Sequence, residues 1–483
     1  MIEGVVEPVH EGGAALFPQG RIHMLQECRS GMSAMNRVRF PYPLSPLHFA
    51  VGEMDDIREM FMGLMPNRRR CASSAARDAP GTRNPCRRTA VIAASLCLVF
   101  AASARGQGVA SSPASSWTGT WAIAQVPDKS GKTFTDQTLR QIVRTSIGGE
   151  RVRLKMSNVF GTQPLKIEDV HVALRRSGSS IDVSSDRQLR FEGSAKLVIP
   201  AGATALSDPV LFEVPAMSEV AISMYLPGTI GLATFHGSAH QTSYVQSGDA
   251  SSAPQMKDPD TSKSVYFLAG LDVEAPAIRG AVVTLGASIT EGYNAADDSD
   301  RRWPDQLAHR LASAGLAIGV LNVGISGNRL LVNGSGESAE NRFERDVLQQ
   351  TNVRWVIFSD DPINDLGSPP SPSGEALIAA LRRLIVRAHE RKIRFICSTL
   401  TPFEGIKAWT PAEEQERQKV NSFIRGEGSG CDGIVDQDAA THDPAHPTHY
   451  LAVYDHGDHL HPNDAGHKAI ANSIDLTIFR PDP

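Results

Sequence analysis

The sequence of 483 residues lacks the features of nucleic-acid-binding and membrane-spanning proteins. Its formal net charge is only -5, so it carries no excess of positive charge that would attract nucleic acid or an anionic membrane. No apolar run approaches the roughly 20 residues that a transmembrane helix needs, and no internal repeat is present. The apolar fraction of 41% is ordinary for a globular protein. The length predicts two or three folded units. The charge and the short apolar runs give no reason to expect a nucleic-acid partner or a membrane span.

Cysteine is scarce, and most of it lies near the beginning of the chain. Two cysteines, Cys397 and Cys431, remain after residue 104, and their spacing matches no metal site. They could form one disulfide in an oxidising compartment, or they could be two buried thiols. Both lie beside apolar, strand-like runs, which favours the buried thiols.

A short apolar segment with a basic flank indicates export. Residues 90–102 are apolar, follow a cluster of arginines and precede a small-x-small cleavage pattern at Ala104. We therefore predict a signal peptide over residues 65–104, with cleavage near Ala104 and a secreted or periplasmic mature protein. A short membrane anchor or a buried helix is the alternative. Residues 1–64 show no clear periodicity and are predicted to be a non-native or disordered extension.

The rest of the chain changes character once. Residues 105–116 have the composition of a flexible linker. From residue 117 to residue 273, short strand-like runs closed by Pro or Gly recur without a long helical period, which predicts an antiparallel, jelly-roll-like β-sandwich domain. From residue 279 to residue 483, compact apolar runs such as "GAVVTLG" alternate with amphipathic helical stretches. That alternation predicts an α/β domain with a parallel sheet and helices on both faces.

Four further residues are assigned structural roles. Arg302 and Trp303 are predicted to be the start of a helix and part of the core. His236 and Gln241 lie near the end of the predicted β-domain, where they could reach a cleft between domains. We predict that they are ordinary polar loop residues.

The stretch "AVVTLGASITEGYN" ends a buried strand on Ser288. Ligands gather at the carboxyl ends of parallel strands, so the hydroxyl of Ser288 is a candidate nucleophile. A serine needs a base, and the base needs an orienting partner. In "YDHGDHLHPNDAGH", Asp458 and His461 are three residues apart, and a tight turn would let the carboxylate orient the imidazole toward Ser288. The same histidines could instead lie in a polar surface loop or hold a metal ion.

Four blocks, in order, make the chain resemble the SGNH (GDSL-like) hydrolases, and the layout resembles their two-domain bacterial secreted esterases. The blocks are "LGASITEGYN", "NVGISGNRLL", "PINDLG" and "DHLHPNDAGH". The resemblance implies a flavodoxin-like sheet and a catalytic triad of Ser288, Asp458 and His461. It implies oxyanion donors from the backbone N–H of Ser288, the backbone N–H of Gly324 and the side-chain amide of Asn364. It also implies a small ester or an acylated carbohydrate as substrate, with no metal or organic cofactor.

Two positions depart from the family pattern. Ala287 stands where the family has Asp, and Pro362 stands where the third block usually has Gly. Proline fixes φ and could alter the aim of Asn364. The neighbouring Asp360 and Asp361 could place a like-charge field beside a developing oxyanion. From the four blocks, we expect a secreted serine esterase for short-chain carboxylic esters. The alternative is a carbohydrate-binding or weakly active protein with a degraded site.

Overall fold

The computed structural model describes residues 116–480, all within one compact unit that begins at Ala104. The predicted extension, signal peptide and nearly all of the predicted linker lie outside the described residues. We call residues 116–275 the β part and residues 280–479 the α/β part. The domain boundaries at 117–273 and 279–483 remain predictions.

Strands make up nearly all of the regular structure in the β part. They are β1 (Ser116–Ala122), β2 (Val126–Pro127), β3 (Thr133–Arg144), β4 (Gly149–Ser157), β5 (Leu165–Ser177), β6 (Ser180–Ile181), β7 (Arg187–Gln188), β8 (Lys196–Ile199), β9 (Thr204–Leu206), β10 (Val210–Val214), β11 (Glu219–Gly231), β12 (Thr234–His236), β13 (Ser243–Ser247), β14 (Asp260–Ser262), β15 (Val265–Tyr266) and β16 (Leu268–Ala275).

These strands form antiparallel sheets around one apolar core. The first sheet has the order β1-β16-β4-β10, with β9 also paired to β4. The second has the order β14-β13-β3-β11-β5-β6, with β7 and β8 paired to β5, and a small third sheet has the order β15-β12-β2. The core takes residues from the first two sheets, among them Leu154 of β4 and Ile222 of β11. Alternate residues of a strand face opposite sides of its sheet, which lets β4 bury Val152, Leu154 and Met156 while Arg151, Arg153 and Lys155 between them are more exposed.

The α/β part contains a parallel sheet, as predicted. Its strands are β17 (Gly280–Leu285), β18 (Ile318–Asn322), β19 (Val353–Phe358), β20 (Arg394–Ser398) and β21 (Gly433–Val435). Their order, β18-β17-β19-β20-β21, is the 2-1-3-4-5 order of flavodoxin-like folds. A short hairpin, β22 (His442–Asp443) and β23 (His446–Tyr450), follows the sheet.

Helices separate the parallel strands. They are α1 (Ser288–Glu291), α2 (Trp303–Ser313), α3 (Ala339–Phe343), α4 (Asp361–Leu366), α5 (Gly374–Glu390), α6 (Pro411–Arg425), α7 (Gln437–Thr441) and α8 (Asp464–Ser473). The helices predicted from periodicity are confirmed, and Arg302 caps α2 while Trp303 is fully buried, also as predicted. Among the residues from 116 to 480, no helix combines the length and apolar character needed to cross a bilayer.

The β part packs tightly against the edge of the parallel sheet. A Cβ added to Gly319 of β18 would come within 2.0 Å of the carbonyl oxygen of Gly119 in β1. The N–H of Gly119 donates to the carbonyl of Thr351 at 3.1 Å, and the N–H of Val320 donates to the hydroxyl of Ser146 at 2.9 Å. Only glycines allow the two backbones to approach this closely.

Cys397 and Cys431 form a disulfide. The preference for two buried thiols was therefore wrong. Cys397 lies in β20, and Cys431 lies just before β21, the neighbouring strand. The N–H of Asp432 donates to the carbonyl of Phe395 at 2.8 Å, which holds the segment before β21 against β20. Proximity to apolar runs predicted their burial but not their pairing.

Candidate active site

Ser288 lies on a tight turn at the carboxyl end of β17. All six residues of β17 are buried, and after Gly286 and Ala287 the helix α1 begins with Ser288 itself. The turn needs Gly286, because an added Cβ there would lie 2.1 Å from Oγ1 of Thr290 and 2.4 Å from Oδ1 of Asp360. The compact turn places the Ser288 hydroxyl at the sheet edge where parallel-sheet ligands bind.

Asp360 braces this turn from the neighbouring strand. Its carboxylate accepts hydrogen bonds from the N–H of Ala287 at 3.0 Å, from the N–H of Ile289 at 2.8 Å and from Oγ1 of Thr290 at 2.6 Å. The side chain that Ala287 lacks is thereby replaced by a carboxylate that follows β19. The expectation that Asp360 could oppose a developing oxyanion did not include this bracing role.

His461 connects Ser288 to Asp458. Nε2 of His461 lies 2.8 Å from Oγ of Ser288, and Nδ1 lies 2.7 Å from Oδ2 of Asp458. A carboxylate only accepts, so Nδ1 carries the proton and Nε2 is free to accept the hydroxyl proton of Ser288. The backbone N–H groups of Leu460 and His461 also donate to Oδ1 of Asp458, which fixes the carboxylate in the turn.

The environment of Asp458 keeps its carboxyl group ionised. Partial burial acts to raise the pKa of Asp458, but hydrogen bonds from the side chain and backbone of His461, together with the imidazole charge and the N–H of Leu460, lower it overall. The ring of Tyr293 lies 4.5 Å from the ring of His461, measured between centroids, and covers one side of the imidazole. Tyr293 is itself 43% exposed, so it also borders the open side of the site.

The backbone N–H of Ser288 is available to a ligand. Its two neighbours, Ala287 and Ile289, both donate to Asp360, whereas the N–H of Ser288 has no acceptor among the described residues. The side-chain amide of Asn364 donates one hydrogen to the carbonyl of Asn328 at 2.9 Å, which leaves its second hydrogen unused. The N–H of Ser288 and the amide of Asn364 are two of the three oxyanion donors that the family resemblance implies.

The third predicted donor, Gly324, is not available. Its N–H donates to Oδ1 of Asn322 at 3.0 Å, and an added Cβ would lie 2.2 Å from the backbone nitrogen of Glu291. Gly324 is therefore a close-packing position against α1, and assigning it to the oxyanion hole was wrong. The glycine motif predicted the loop but not which of its N–H groups is unoccupied.

Gly327, in the same loop, has the properties that Gly324 lacks. It has a φ of 72° in the turn that the N–H of Asn328 closes on the carbonyl of Ile325. A positive φ at this position of a turn is adopted most readily by glycine. Its N–H has no acceptor within residues 116–480. The next residue, Asn328, is the one whose carbonyl holds Asn364, so the two donors are neighbours.

Pro362 is compatible with the helix that carries Asn364. It occupies the first turn of α4, where a backbone N–H has no acceptor inside the helix, so its missing donor costs nothing there. Asp361, just before it, is fully buried 3.7 Å from Arg342. Burial raises the pKa of Asp361 to about 7, with Arg342 opposing the rise, so this side chain is only partly charged near neutral pH.

The histidines of "HGDHLH" have separate roles. Nδ1 of His459 lies 2.8 Å from Asp455, whereas His461 contacts Asp458 and Ser288. His467 is buried against the carbonyl of Tyr293, and burial lowers its pKa to about 4. Within the described residues, no three His, Cys, Asp or Glu side chains are grouped so that they could hold a metal ion.

His236 and Gln241 are not the ordinary loop residues we predicted. His236 is buried at the end of β12, with Nε2 3.1 Å from Glu291 of α1. Gln241 is buried as well, and its amide donates to Glu219 at 3.1 Å. The sequence contains no signal for the contact between His236 and Glu291, because the partners are far apart in the chain.

Comparison with protein families gives a match within the α/β part. Residues 284–469 match the model of the GDSL-like lipase/acylhydrolase family. Comparison with curated proteins yields no match. Among solved structures, a GDSL-like lipase from Bacteroides thetaiotaomicron is 18% identical, with a TM-score of 0.33, over 41% of this chain and 88% of its own. An acetylxylan esterase from Geobacillus stearothermophilus is 23% identical, with a TM-score of 0.32, over 42% of this chain and 94% of its own.

Proposed function

We propose that this chain, whose residues 284–469 belong to the GDSL-like lipase/acylhydrolase family, is a serine esterase that hydrolyses short-chain carboxylic esters. One observation carries the proposal. The hydroxyl of Ser288 and the carboxylate of Asp458 contact opposite nitrogens of His461, at 2.8 Å and 2.7 Å. This is the arrangement in which an imidazole can take a proton from a serine while a carboxylate orients it.

In the first half of the proposed reaction, Oγ of Ser288 forms a bond to the ester carbonyl carbon while Nε2 of His461 takes the hydroxyl proton. The carbonyl oxygen becomes an oxyanion. When the bond between the carbonyl carbon and the alcohol oxygen breaks, the proton on Nε2 passes to that oxygen and the alcohol leaves. Asp458 stabilises the imidazolium and keeps its proton on Nδ1.

In the second half, water attacks the acyl carbon and gives a proton to Nε2 of His461. The bond to Oγ of Ser288 then breaks, the proton returns to Oγ, and the carboxylic acid is released. Neither half of this reaction requires a metal or an organic cofactor.

Three N–H groups are proposed to hold the oxyanion. The N–H of Ser288, the N–H of Gly327 and the second amide hydrogen of Asn364 have no acceptor among the described residues. Donors that are held in place before the reaction stabilise the developing charge without reorganisation. Gly327 replaces Gly324 in this assignment, because the N–H of Gly324 already donates to Asn322.

The alternative of a carbohydrate-binding or weakly active protein with a degraded site depended on Ala287 and Pro362. The hydrogen bonds from the turn to Asp360 compensate for the first, and the place of Pro362 in the first turn of α4 accommodates the second. Both observations favour a working esterase. Acylated carbohydrate stays a candidate substrate class, and release of acetate from acetylated xylan would distinguish it from simple esters.

We also propose that the mature protein is exported after cleavage near Ala104. The basic and apolar segment before that residue motivates the proposal, and the Cys397–Cys431 disulfide is consistent with an oxidising compartment.

The esterase proposal predicts that the protein hydrolyses p-nitrophenyl acetate and that Ser288→Ala lowers kcat by roughly 10⁴-fold or more, because the nucleophile is lost. Steady-state rates of the two purified proteins test this, with circular dichroism to verify that the variant is folded. Equal rates would contradict the proposal.

A further inference from the structure

A buried ion pair joins the β part to the helix that carries Ser288. His236 is the last residue of β12, and Glu291 is the last residue of α1, three positions after Ser288. Nε2 of His236 lies 3.1 Å from Oε1 of Glu291, and the two side chains are 3% and 6% exposed. Neither residue takes part in the proposed reaction, but Glu291 lies on the same short helix as Ser288.

Oxygen atoms face both ring nitrogens of His236. Its Nδ1 lies 2.8 Å from the carbonyl oxygen of Ala124, and its Nε2 faces Glu291. Each ring nitrogen can donate to the oxygen that faces it when that nitrogen carries a proton. Burial acts to raise the pKa of Glu291, but the hydrogen bond and charge of His236, with hydrogen bonds from Ser326, lower it overall.

Glu291 also holds the loop that carries Gly327. Its carboxylate accepts hydrogen bonds from the hydroxyl and the N–H of Ser326, the latter at 3.1 Å. Ser326 directly precedes Gly327, the proposed oxyanion donor. The side-chain amide of Asn322, at the end of β18, adds a second tie to α1 by donating to the carbonyl of Thr290 at 2.9 Å. The position of the loop relative to Ser288 therefore depends on where the Glu291 carboxylate is held.

We propose that His236 is a positioning residue for ester hydrolysis: from the β part, it holds Glu291 so that Ser326 keeps the N–H of Gly327 at the correct distance from Ser288. This inference depends on the proposed esterase function and deepens it. It assigns the β part a role in turnover even where that part does not touch the substrate.

The expected effect is on the chemical step. Oxyanion donors act at about 2.7–3.1 Å from the oxygen, and a displacement of about 1 Å can cost on the order of 100-fold in rate. A displaced donor weakens binding of the transition state more than binding of the ground state. We therefore expect kcat to fall while KM changes little.

The test compares His236→Gln, Glu291→Gln and the double variant with the unaltered protein on p-nitrophenyl acetate. Each single variant should lower kcat by roughly 10- to 100-fold. The kcat of the double variant should be no lower than that of the less active single variant, because the two residues act as a unit. Unfolding midpoints in urea show whether each variant is folded under the assay conditions.

His171→Gln is the matched control. Nδ1 of His171 lies 3.0 Å from Asp186, the side chains are 12% and 18% exposed, and both residues belong to the β part. Losing this pair should lower the unfolding midpoint and leave kcat of the folded protein nearly unchanged. An equal loss of kcat in this control would overturn the inference, because any weakened β part would then have the same effect.

Ser326→Ala tests the same connection from its other end and decides the question if His236→Gln does not fold. It removes one hydrogen bond to Glu291 without leaving a buried ion unpaired, and kcat should fall several-fold or more with KM retained. Unchanged kcat in this variant, or strictly multiplicative losses in the double variant, would overturn the inference.

If Ser288→Ala keeps full activity, the proposed function fails and this inference fails with it. If Ser288→Ala is inactive and the His236 and Ser326 variants are fully active, only this inference fails.

Discussion

At the scale of single residues, the candidate site depends on a carboxylate that comes from an unexpected position. Asp360 is almost fully buried and accepts three hydrogen bonds from the turn that presents Ser288. By accepting from Ala287 and Ile289, it leaves the N–H between them free. One side chain thus orders the nucleophile turn and keeps an oxyanion donor available.

Asp360→Asn should lower kcat by roughly 10- to 100-fold and destabilise the protein by about 1–3 kcal/mol. An amide has one accepting oxygen where the carboxylate has two, so at least one buried donor of the turn is left unsatisfied. Esterase assays and urea denaturation measure the two effects.

Asp272→Asn is the control for this substitution. Asp272 is also buried, and it binds Arg153 and Thr351, away from the turn that carries Ser288. We expect it to lose stability without losing kcat. If both variants lose the same activity, the bracing role of Asp360 is wrong.

At the scale of elements, α4 shows how a local departure is absorbed. Proline in its first turn preserves the helix, and Asn364 still reaches the loop after β18. The same first turn buries Asp361, whose two oxygens have no hydrogen-bond donor within residues 116–480. An ionised carboxylate at that place costs free energy, because the cation that faces it, Arg342, lies 3.7 Å away, beyond hydrogen-bond distance.

The raised pKa of Asp361 predicts a pH-dependent stability. Its pKa of about 7 lies above the ordinary value of 3.8, so between these values the folded protein binds more protons than the unfolded chain does. The contribution of Asp361 to stability therefore falls as pH rises through this window. Asp361→Asn removes that dependence. The free energy of unfolding of the variant, relative to that of the unaltered protein, should therefore increase by on the order of 1–3 kcal/mol when the pH is raised from 5 to 8.

Urea denaturation at both pH values measures this difference. Asp365→Asn is a useful comparison, because Asp365 accepts hydrogen bonds from the N–H groups of Leu330 and Leu331, and its loss should destabilise the protein at both pH values. A constant difference between Asp361→Asn and the unaltered protein would contradict the prediction.

At the scale of the whole molecule, the β part and the α/β part behave as one packed body. Ala122 and Ala124, from the β part, belong to the apolar core of the α/β part. Gly119 and Gly319 bring β1 and β18 into backbone contact, and the His236–Glu291 pair adds a buried polar link nearer the candidate site. We therefore expect substitutions in one part to affect the stability or the geometry of the other.

The disulfide stabilises this body by closing a loop that contains α6. Replacing both Cys397 and Cys431 with Ala should lower the free energy of unfolding by about 2–4 kcal/mol, because the unfolded chain regains the freedom that a crosslink across 34 positions removes. Urea denaturation of the double variant tests this, and activity below the unfolding transition should be retained. The prediction would be contradicted if the double variant had the same urea midpoint as the unaltered protein and a reducing agent left the midpoint of the unaltered protein unchanged.

Local patterns in the sequence were sufficient to predict the parallel sheet and its main helices. Short motifs marked Ser288, Asp458 and His461 as candidate site residues, and the family resemblance added Asn364. Apolar periodicity and short motifs encode these features within a few neighbouring residues. Contacts between distant segments were decided only by the tertiary structure. The bracing by Asp360, the availability of Gly327 in place of Gly324, the disulfide and the His236–Glu291 pair all depend on which backbone and side-chain groups meet after folding. Sequence spacing does not determine whether an N–H group already has an acceptor, because that acceptor can come from any part of the chain.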